Sequence, residues 1–221
     1  MTTAAGAGRS EIAIPAQDER LPGSLAVPRD AFGVVLFAHG SGSSRLSPRN
    51  VEVAEALNGA GFATLLFDLL TEQEAADRAN VFDIPLLADR LQLATHWLDE
   101  ARGAGSLRVG YFGASTGAAA ALVAAAREKR EISAVVSRGG RPDLAGSALK
   151  EVRAPTLLIV GSLDTQVLEL NRAALTALRC EKALEIVPGA GHLFEEPGTL
   201  ERVTELAAGW LAEHLGVQEP A

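Results

Sequence analysis

The sequence predicts one α/β domain built around an eight-stranded, mostly parallel β-sheet with helices packed against it. Segments with strand-like and helix-like patterns alternate from one end of the chain to the other, which favours this fold class. Residues 33–38 form a continuous apolar run, as expected of a strand buried on both faces of a parallel sheet. The length of 221 residues fits a single large domain, which we predict over residues 11–221 after a flexible tail at 1–10.

The first two strands are predicted to pair as an antiparallel hairpin at one edge of the sheet. They cover residues 11–15 and 24–27, and Leu21-Pro22-Gly23 between them favours a turn. The next predicted elements are a strand at 33–38, a helix from Pro48 to about Gly59 or Gly61 with Ser47 as its cap, a strand at 63–67, a long connection over 68–83 and an amphipathic helix over 84–102.

The second half repeats the alternation of strand and helix. Its predicted elements are a strand at 107–112, a helix at 115–128, a strand at 132–137, a glycine-rich loop at 138–143 with a short helix after it, a strand at 156–160, a helix at 167–179, a strand at 183–187 and a last helix at 197–215.

Composition narrows the partners and the compartment. The net charge of −8 argues against nucleic acid or an anionic membrane surface as a partner. The N-terminus has no apolar segment typical of a signal peptide, and no apolar run reaches the length of a membrane span. Cys180 is the only cysteine, so the chain cannot form an internal disulfide, which is typical of cytoplasmic proteins. We predict that Cys180 acts only in packing. We predict a monomer or homodimer that binds a small molecule and needs neither cofactor nor metal.

The most informative motif is Gly113-Ala114-Ser115-Thr116-Gly117, which follows a predicted strand and opens an alanine-rich helix. A strand, Gly-x-Ser-x-Gly and a helix together are typical of a nucleophile elbow, in which a sharp turn exposes the serine hydroxyl. The alternative interpretation is that Ser115 only caps the helix.

An activated serine needs a histidine to take its proton and an acid to orient that histidine. In chains with this elbow the order is serine, acid, histidine. Asp164 follows the strand at 156–160, and His192 follows the strand at 183–187. Both therefore leave the carboxyl ends of parallel strands, where ligands bind in open α/β sheets. We predict Ser115, Asp164 and His192 as nucleophile, acid and base.

Other acids and histidines compete for these roles. Asp143 follows the next strand after the elbow and is the stronger alternative to Asp164, and Asp68 is the weaker one. Asp68 is also placed like a ribose-binding acid, but the glycine run at 40–44 lacks the third glycine of a dinucleotide motif. His214 is predicted at the surface near the end of the last helix, and His39 is predicted to pack behind the loop after the third strand.

Two backbone amides are predicted to stabilise the oxyanion that forms when serine attacks a carbonyl. One is the N–H of Thr116, directly after the nucleophile, and the other is the N–H of Ser41 in the loop after residues 33–38. Because these donors belong to the backbone, Ser41→Ala is predicted to change little.

Two arginines follow the strand at 132–137 and are predicted to lie at the same edge of the sheet. Arg138 and Arg141 are candidates for binding an anionic group on the substrate. The alternative is that they make structural ion pairs, such as one between Arg141 and Asp143.

With these motifs the chain resembles the α/β-hydrolases, and more narrowly the small dienelactone-hydrolase-like enzymes without a cap domain. The resemblance extends over about residues 11–215 and depends on His39-Gly40-Ser41-Gly42, the elbow, the Asp164 turn and the His192 loop. Dienelactone hydrolases proper use cysteine as nucleophile, whereas this chain has Ser115 there. The resemblance therefore implies a serine hydrolase of carboxylic esters, with small or short-chain acyl groups as the expected substrates. Lactone hydrolysis, thioester hydrolysis and a non-catalytic binding protein on the same fold remain alternatives.

Overall fold

In the computed structural model, which describes residues 8–101 and 104–216, eight strands form one sheet. They are β1 (Gly8–Ala16), β2 (Glu19–Val27), β3 (Gly33–Ala38), β4 (Phe62–Phe67), β5 (Arg108–Ala114), β6 (Ile132–Arg138), β7 (Thr156–Gly161) and β8 (Lys182–Val187). Their spatial order is β1-β2-β4-β3-β5-β6-β7-β8. Only the β1–β2 and β2–β4 pairs are antiparallel, so the prediction of a mostly parallel eight-stranded sheet is confirmed.

Seven α-helices are present among the described residues. They are α1 (Pro48–Gly59), α2 (Glu72–Ala76), α3 (Arg78–Val81), α4 (Ile84–Leu98), α5 (Thr116–Arg127), α6 (Thr165–Ala177) and α7 (Thr199–Leu215), and a 3₁₀ segment spans Pro142–Lys150. The predicted end of the fourth helix, at residue 102, lies outside the described residues, and α4 ends at Leu98.

The parallel strands β3 to β8 all end at one edge of the sheet, called the carboxyl edge below. The loops that follow β3, β5, β6, β7 and β8 therefore meet there. These loops carry Ser41, Ser115, Arg138, Asp164 and His192 or lie directly beside them, so strand polarity alone gathers the predicted residues on one side of the molecule.

The edge hairpin exists, but its turn was predicted in the wrong place. The chain reverses at Gln17-Asp18, and Leu21-Pro22-Gly23 lies inside β2. Proline is tolerated there because β2 needs no N–H donor at this position. Pro22 lies just past Gly23, the last residue of β2 that pairs with β4, and its carbonyl accepts from Asp68 N–H at 3.0 Å. Strand β1 also begins at Gly8, so residues 8–10 pair with Leu25–Val27 and are not part of a tail.

Two apolar layers cover the sheet. On one face α1 and α7 pack through residues such as Val53 and Leu211 against Phe37 and Phe112. On the other face α4 and α5 pack against β3 and β5. Residues 116–125 of α5 are all buried, and the run of alanines lets this helix approach the centre of the sheet closely. The nucleophile elbow therefore lies at the end of the most buried helix of the fold.

Ser47 occupies the position before α1 with Pro48 in the first turn, as predicted. Its side chain, however, makes no capping hydrogen bond, so the helix start depends on the proline and on main-chain bonds such as Val51 N–H to the Ser47 carbonyl.

The long connection after β4 is folded rather than irregular. Thr71 and Glu74 form a reciprocal capping box at the start of α2, with each side chain accepting from the other residue's amide. Glu74 also accepts from Arg90 of α4 at 2.5 Å. Burial raises the pKa of Glu74, but the bonds from Thr71 N–H and Arg90 outweigh burial and hold this pKa below its usual value. Glu74 therefore ties residues 71–83 to α4.

One buried charge has no partner among the described residues. Arg138, at the end of β6, is only 8% exposed, and its Nη1 has no hydrogen-bond partner there. Burial, together with the nearby charge of Arg49, lowers the pKa of Arg138 to about 10. An uncompensated buried guanidinium is costly to stability.

Within the part of the chain that the structure describes, no helix combines the length and apolar character needed to cross a membrane.

Replacing Glu74 with glutamine is expected to loosen residues 72–82. The change removes a charged acceptor and should cost about 1 kcal/mol of unfolding free energy, which lowers Tm by about 2–4 °C. Amide hydrogen exchange of residues 72–82 should accelerate. Because the pKa of Glu74 is lowered in the folded state, its contribution is complete above the ordinary carboxyl pKa and is lost as the pH falls through the lowered value.

The matched control is Glu72→Gln, because Glu72 is an exposed neighbour in the first turn of the same helix. Equal exchange in the two variants would show that Glu74 does not hold the segment.

Replacing Arg138 with methionine is expected to stabilise the fold. Methionine keeps much of the side-chain volume and removes the unpartnered charge, so the unfolding free energy should rise by about 1–3 kcal/mol. Thermal unfolding of Arg138→Met and Arg141→Met measures this, since Arg141 is paired and more exposed. A lower Tm for Arg138→Met than for wild type would contradict the prediction.

Candidate active site

Ser115 has the strained backbone expected of a nucleophile elbow. Its φ of +50° and ψ of −121° lie in a region that non-glycine residues rarely adopt. The turn requires close approach, since a Cβ on Gly117 would lie 2.1 Å from the Ala38 carbonyl oxygen and one on Gly113 would lie 2.5 Å from Ala118 Cα. Both glycines of the motif are therefore needed for packing between the elbow and its neighbours.

Hydrogen bonds hold the strained backbone on both sides. Ser115 N–H donates to the Arg138 carbonyl at 3.3 Å, and the Ser115 carbonyl accepts from Ala118 N–H at 3.1 Å and from Arg141 N–H at 3.0 Å. Ser115 is at the N-cap position of α5, but its side chain makes no capping bond. The capping interpretation of Ser115 therefore does not hold, and the hydroxyl of this partly exposed residue is left for other chemistry.

Asp164 and His192 meet at the carboxyl edge. His192 Nδ1 lies 2.6 Å from Asp164 Oδ2, across 28 residues of chain. The Asp164 side chain is 15% exposed and that of His192 is 39% exposed. Asp164 is also the N-cap residue of α6 without capping it, so the carboxylate is available to the imidazole. With Nδ1 engaged, Nε2 is the nitrogen that can accept a proton.

The His192 loop lies against the end of β6, next to the elbow. A Cβ on Gly139 would lie 3.0 Å from the His192 carbonyl oxygen and 3.7 Å from His192 Nδ1. Gly139 directly follows Arg138, whose carbonyl binds Ser115 N–H. The predicted base is therefore placed one short loop away from the predicted nucleophile.

The two alternative acids are already occupied. Asp143 binds Arg141 through both carboxylate oxygens, at 2.9 and 2.8 Å. Asp68 accepts from Arg45 N–H at 2.7 Å and lies 3.4 Å from the Arg45 guanidinium. Among the three predicted acids, only Asp164 makes a hydrogen bond with a histidine within the described chain.

The other histidines have structural contacts. His39 Nε2 accepts from Leu69 N–H at 3.1 Å, so Nδ1 carries the proton and donates to the Gly40 carbonyl. Burial lowers the pKa of His39, more than the Gly40 carbonyl and Asp68 raise it. His39 therefore supports the loop after β3 as a neutral group, as predicted. His214 differs from the prediction of a surface position, because its side chain is 11% exposed and packs edge-on against Trp210.

The predicted oxyanion donors have different surroundings. Thr116 N–H is the first amide of α5, where helix geometry provides no intrahelical acceptor. Ser41 N–H does not point into open space but donates to Thr116 Oγ1 at 2.9 Å. The loop that carries Ser41 touches the elbow, since a Cβ on Gly40 would lie 2.9 Å from Ser115 Cβ.

Sequence reasoning missed two acidic residues that hold the His192 loop. Glu196 accepts from Gly191 N–H at 3.1 Å, and this bond holds the pKa of Glu196 below its usual value. Glu195 pairs with Arg49 of α1 at 2.8 Å. The only signal in the sequence is that both acids closely follow His192, which by itself does not separate them from solvated loop charges.

Comparisons with known proteins agree with this architecture. Residues 21–210 match the dienelactone hydrolase family. The crystal structure of a dienelactone hydrolase from Anabaena variabilis is 53% identical, with a TM-score of 0.91 over 95% of this chain and 99% of that one. An esterase of Pyrococcus furiosus has a TM-score of 0.74 at 19% identity, over 95% of this chain and 94% of its own, which shows a shared fold.

A protein of Mycobacterium tuberculosis, named a putative phosphoribosyl transferase, is 60% identical over 205 residues. That alignment covers 93% of this chain and 46% of the mycobacterial protein, so the chain spans about half the length of this curated relative. Because the family match covers most of the chain and the sheet agrees with that of the Anabaena structure, this chain has the α/β-hydrolase fold and belongs to the dienelactone hydrolase family.

Proposed function

We propose that this protein is a serine hydrolase that cleaves carboxylic esters through an acyl-enzyme. The observation that carries the proposal is the 2.6 Å contact between His192 Nδ1 and Asp164 Oδ2, at the edge of the sheet where Ser115 occupies a strained elbow. Acyl transfer by serine requires a nucleophile, a base and an acid, and these three residues are the candidates for those roles.

In this mechanism Ser115 Oγ attacks the ester carbonyl while His192 Nε2 takes the hydroxyl proton. Asp164 stays ionised, holds the imidazole in position and stabilises its positive charge. His192 then gives the proton to the leaving alcohol, so that an acyl group remains on Ser115. A water activated by His192 hydrolyses this acyl-enzyme and restores the serine. These steps need neither a metal nor a cofactor.

The surroundings of the site favour small substrates. Several of the exposed large apolar side chains follow the carboxyl ends of parallel strands, namely Leu46, Phe82, Leu144, Leu163 and Leu193. Such side chains can contact the acyl or alcohol group of an ester, but each is at least 38% exposed. We propose that they form an open rim around Ser115 rather than an enclosed tunnel, so that a long acyl chain would remain largely in water.

Lactone hydrolysis is the second candidate function. The Anabaena structure, which is named a dienelactone hydrolase, is 53% identical to this chain and favours a cyclic ester. A thioester is attacked by the same three groups and belongs in the same screen. The charge of −8 and the single cysteine support our further proposal of a cytoplasmic monomer or homodimer that acts on a small molecule.

The first test is labelling with a fluorophosphonate, which reacts with an activated serine. We expect modification of Ser115 in the wild-type protein and none in Ser115→Ala, as identified by mass spectrometry of the labelled peptide. A folded wild-type protein that does not label would favour the binding-protein alternative.

Ser115→Ala and His192→Ala are each expected to lower kcat by about 10³-fold or more on an aryl acetate, because each removes a group that acts in the transition state. Ser106→Ala is the matched control, since Ser106 is exposed in the loop before β5, away from the carboxyl edge. Near-normal turnover by either site variant, with folding verified by circular dichroism, would contradict the proposed roles.

Acyl-chain preference tests the open rim. Rates on aryl acetate, butyrate and long-chain esters should be highest for the short chains, because the rim offers little burial to a long one. Higher kcat/KM for long chains than for butyrate would contradict an open site. A lactone that exceeds every simple ester in the same assay would make the second candidate the better one. Phosphoribosyl transfer is included for comparison, and no turnover is expected.

A further inference from the structure

The hydroxyl of Thr116 lies where the two predicted oxyanion donors meet. Thr116 is 4% exposed, and its Oγ1 accepts from Ser41 N–H at 2.9 Å although the two residues are 75 positions apart. Its own amide is the first of α5, directly after Ser115. The loop that carries Ser41 touches Ser115 through Gly40. This hydroxyl is therefore held between the elbow and the loop after β3.

The proton of this hydroxyl is unused among the described residues. A hydroxyl has one hydrogen to donate and two lone pairs that accept. The bond from Ser41 N–H occupies one lone pair, and no hydrogen bond within residues 8–101 and 104–216 takes the proton. A buried donor without an acceptor is unfavourable. A site where negative charge develops next to Ser115 would provide that acceptor.

We propose that Thr116 provides two donors to the oxyanion, its backbone N–H and its side-chain hydroxyl, while Ser41 N–H acts indirectly by orienting that hydroxyl. The inference deepens the proposed function and rests on it. The amide nitrogen and Oγ1 of one threonine are separated only by Cα and Cβ, so both can face one oxygen atom. No covalent bond to Thr116 forms or breaks, and its proton stays on Oγ1.

In this arrangement the hydrogen bonds from Ser41 N–H and from the Thr116 hydroxyl form a chain in which both donors are oriented towards the oxyanion. The amide donates to Oγ1 and the hydroxyl donates to the oxyanion, so each bond polarises the next as charge develops. Donors fixed in this way before the reaction need no reorganisation when the tetrahedral intermediate forms. Thr116 would then be a catalytic residue and Ser41 a positioning residue.

A competing arrangement predicts the opposite result. If Thr116 Oγ1 only occupies the Ser41 amide at rest, substrate must displace it before Ser41 N–H can reach the oxyanion. Removing the hydroxyl would then free the amide, and activity would stay the same or rise.

The test compares Thr116→Val, which keeps the branched shape but has no hydroxyl, with Thr116→Ser, which keeps the hydroxyl. Thr204→Val is the matched control, because the Thr204 hydroxyl binds the Leu200 carbonyl in α7, outside the candidate site. For each folded variant we would measure kcat and KM on an aryl acetate. We would also measure the inhibition constant of an aryl trifluoromethyl ketone. The serine adds to the carbonyl of this ketone, and the adduct carries a stable oxyanion.

We expect Thr116→Val to lower kcat by about 10²- to 10³-fold with little change in KM, as for the loss of one oxyanion donor. The inhibition constant of the trifluoromethyl ketone should rise by a similar factor, a change that a purely structural role would not produce. Thr116→Ser should keep most of the wild-type kcat and most of the affinity for the trifluoromethyl ketone. Thr204→Val should match the wild-type protein in both.

Unchanged or raised kcat in Thr116→Val, with an active wild type and an inactive Ser115→Ala, would overturn this inference and leave the proposed function intact. Equal losses of kcat in Thr116→Val and Thr116→Ser would also overturn it, because the hydroxyl would not be the relevant group. A wild-type protein without any esterase, lactonase or thioesterase activity would overturn both proposals.

Discussion

The constraint on which this site depends is the unfavourable backbone conformation of Ser115. A φ of +50° on a serine persists only where the surroundings leave no relaxed alternative. Here Arg138 accepts from the Ser115 amide, and Ala118 and Arg141 donate to its carbonyl. Gly117 lies so close to the Ala38 carbonyl that any side chain there would clash with the end of β3. The centre of the sheet therefore fixes the backbone conformation of Ser115.

At the carboxyl edge around Ser115, ion pairs and hydrogen bonds with neighbouring residues decide which carboxylate can bind a histidine. Arg45 and Arg141 engage Asp68 and Asp143, which removes both carboxylates from competition for a histidine. Asp164 is left with His192 as its partner. An acid that already holds an arginine gains little from orienting an imidazole, so this sorting matters more to the chemistry than the number of acids nearby. Arg138 is the exception, a buried charge without a partner in the described chain.

Element types were predictable because their patterns are local. Continuous apolar runs predict β3 and β7, and Ser115, Asp164 and His192 follow the ends of β5, β7 and β8 in that order. The edge hairpin was predicted wrongly at its turn because Pro22 and Gly23 favour turns in isolation. Inside β2, the carbonyl of Pro22 meets Asp68 N–H beyond the β4 ladder, and no pattern within the hairpin itself shows that.

The sequence by itself determined the alternation of strands and helices, the polarity that gathers the candidate residues at one edge, and the glycines that make an elbow sterically feasible. Only the tertiary structure decided which aspartate meets His192, that Ser47 makes no cap, and that Ser41 N–H binds the Thr116 hydroxyl. The physical reason is the distance along the chain over which each kind of interaction acts. Propensity and periodicity act over a few residues, whereas these hydrogen bonds join atoms that are 28 and 75 positions apart and form only once strand register places them within 3 Å.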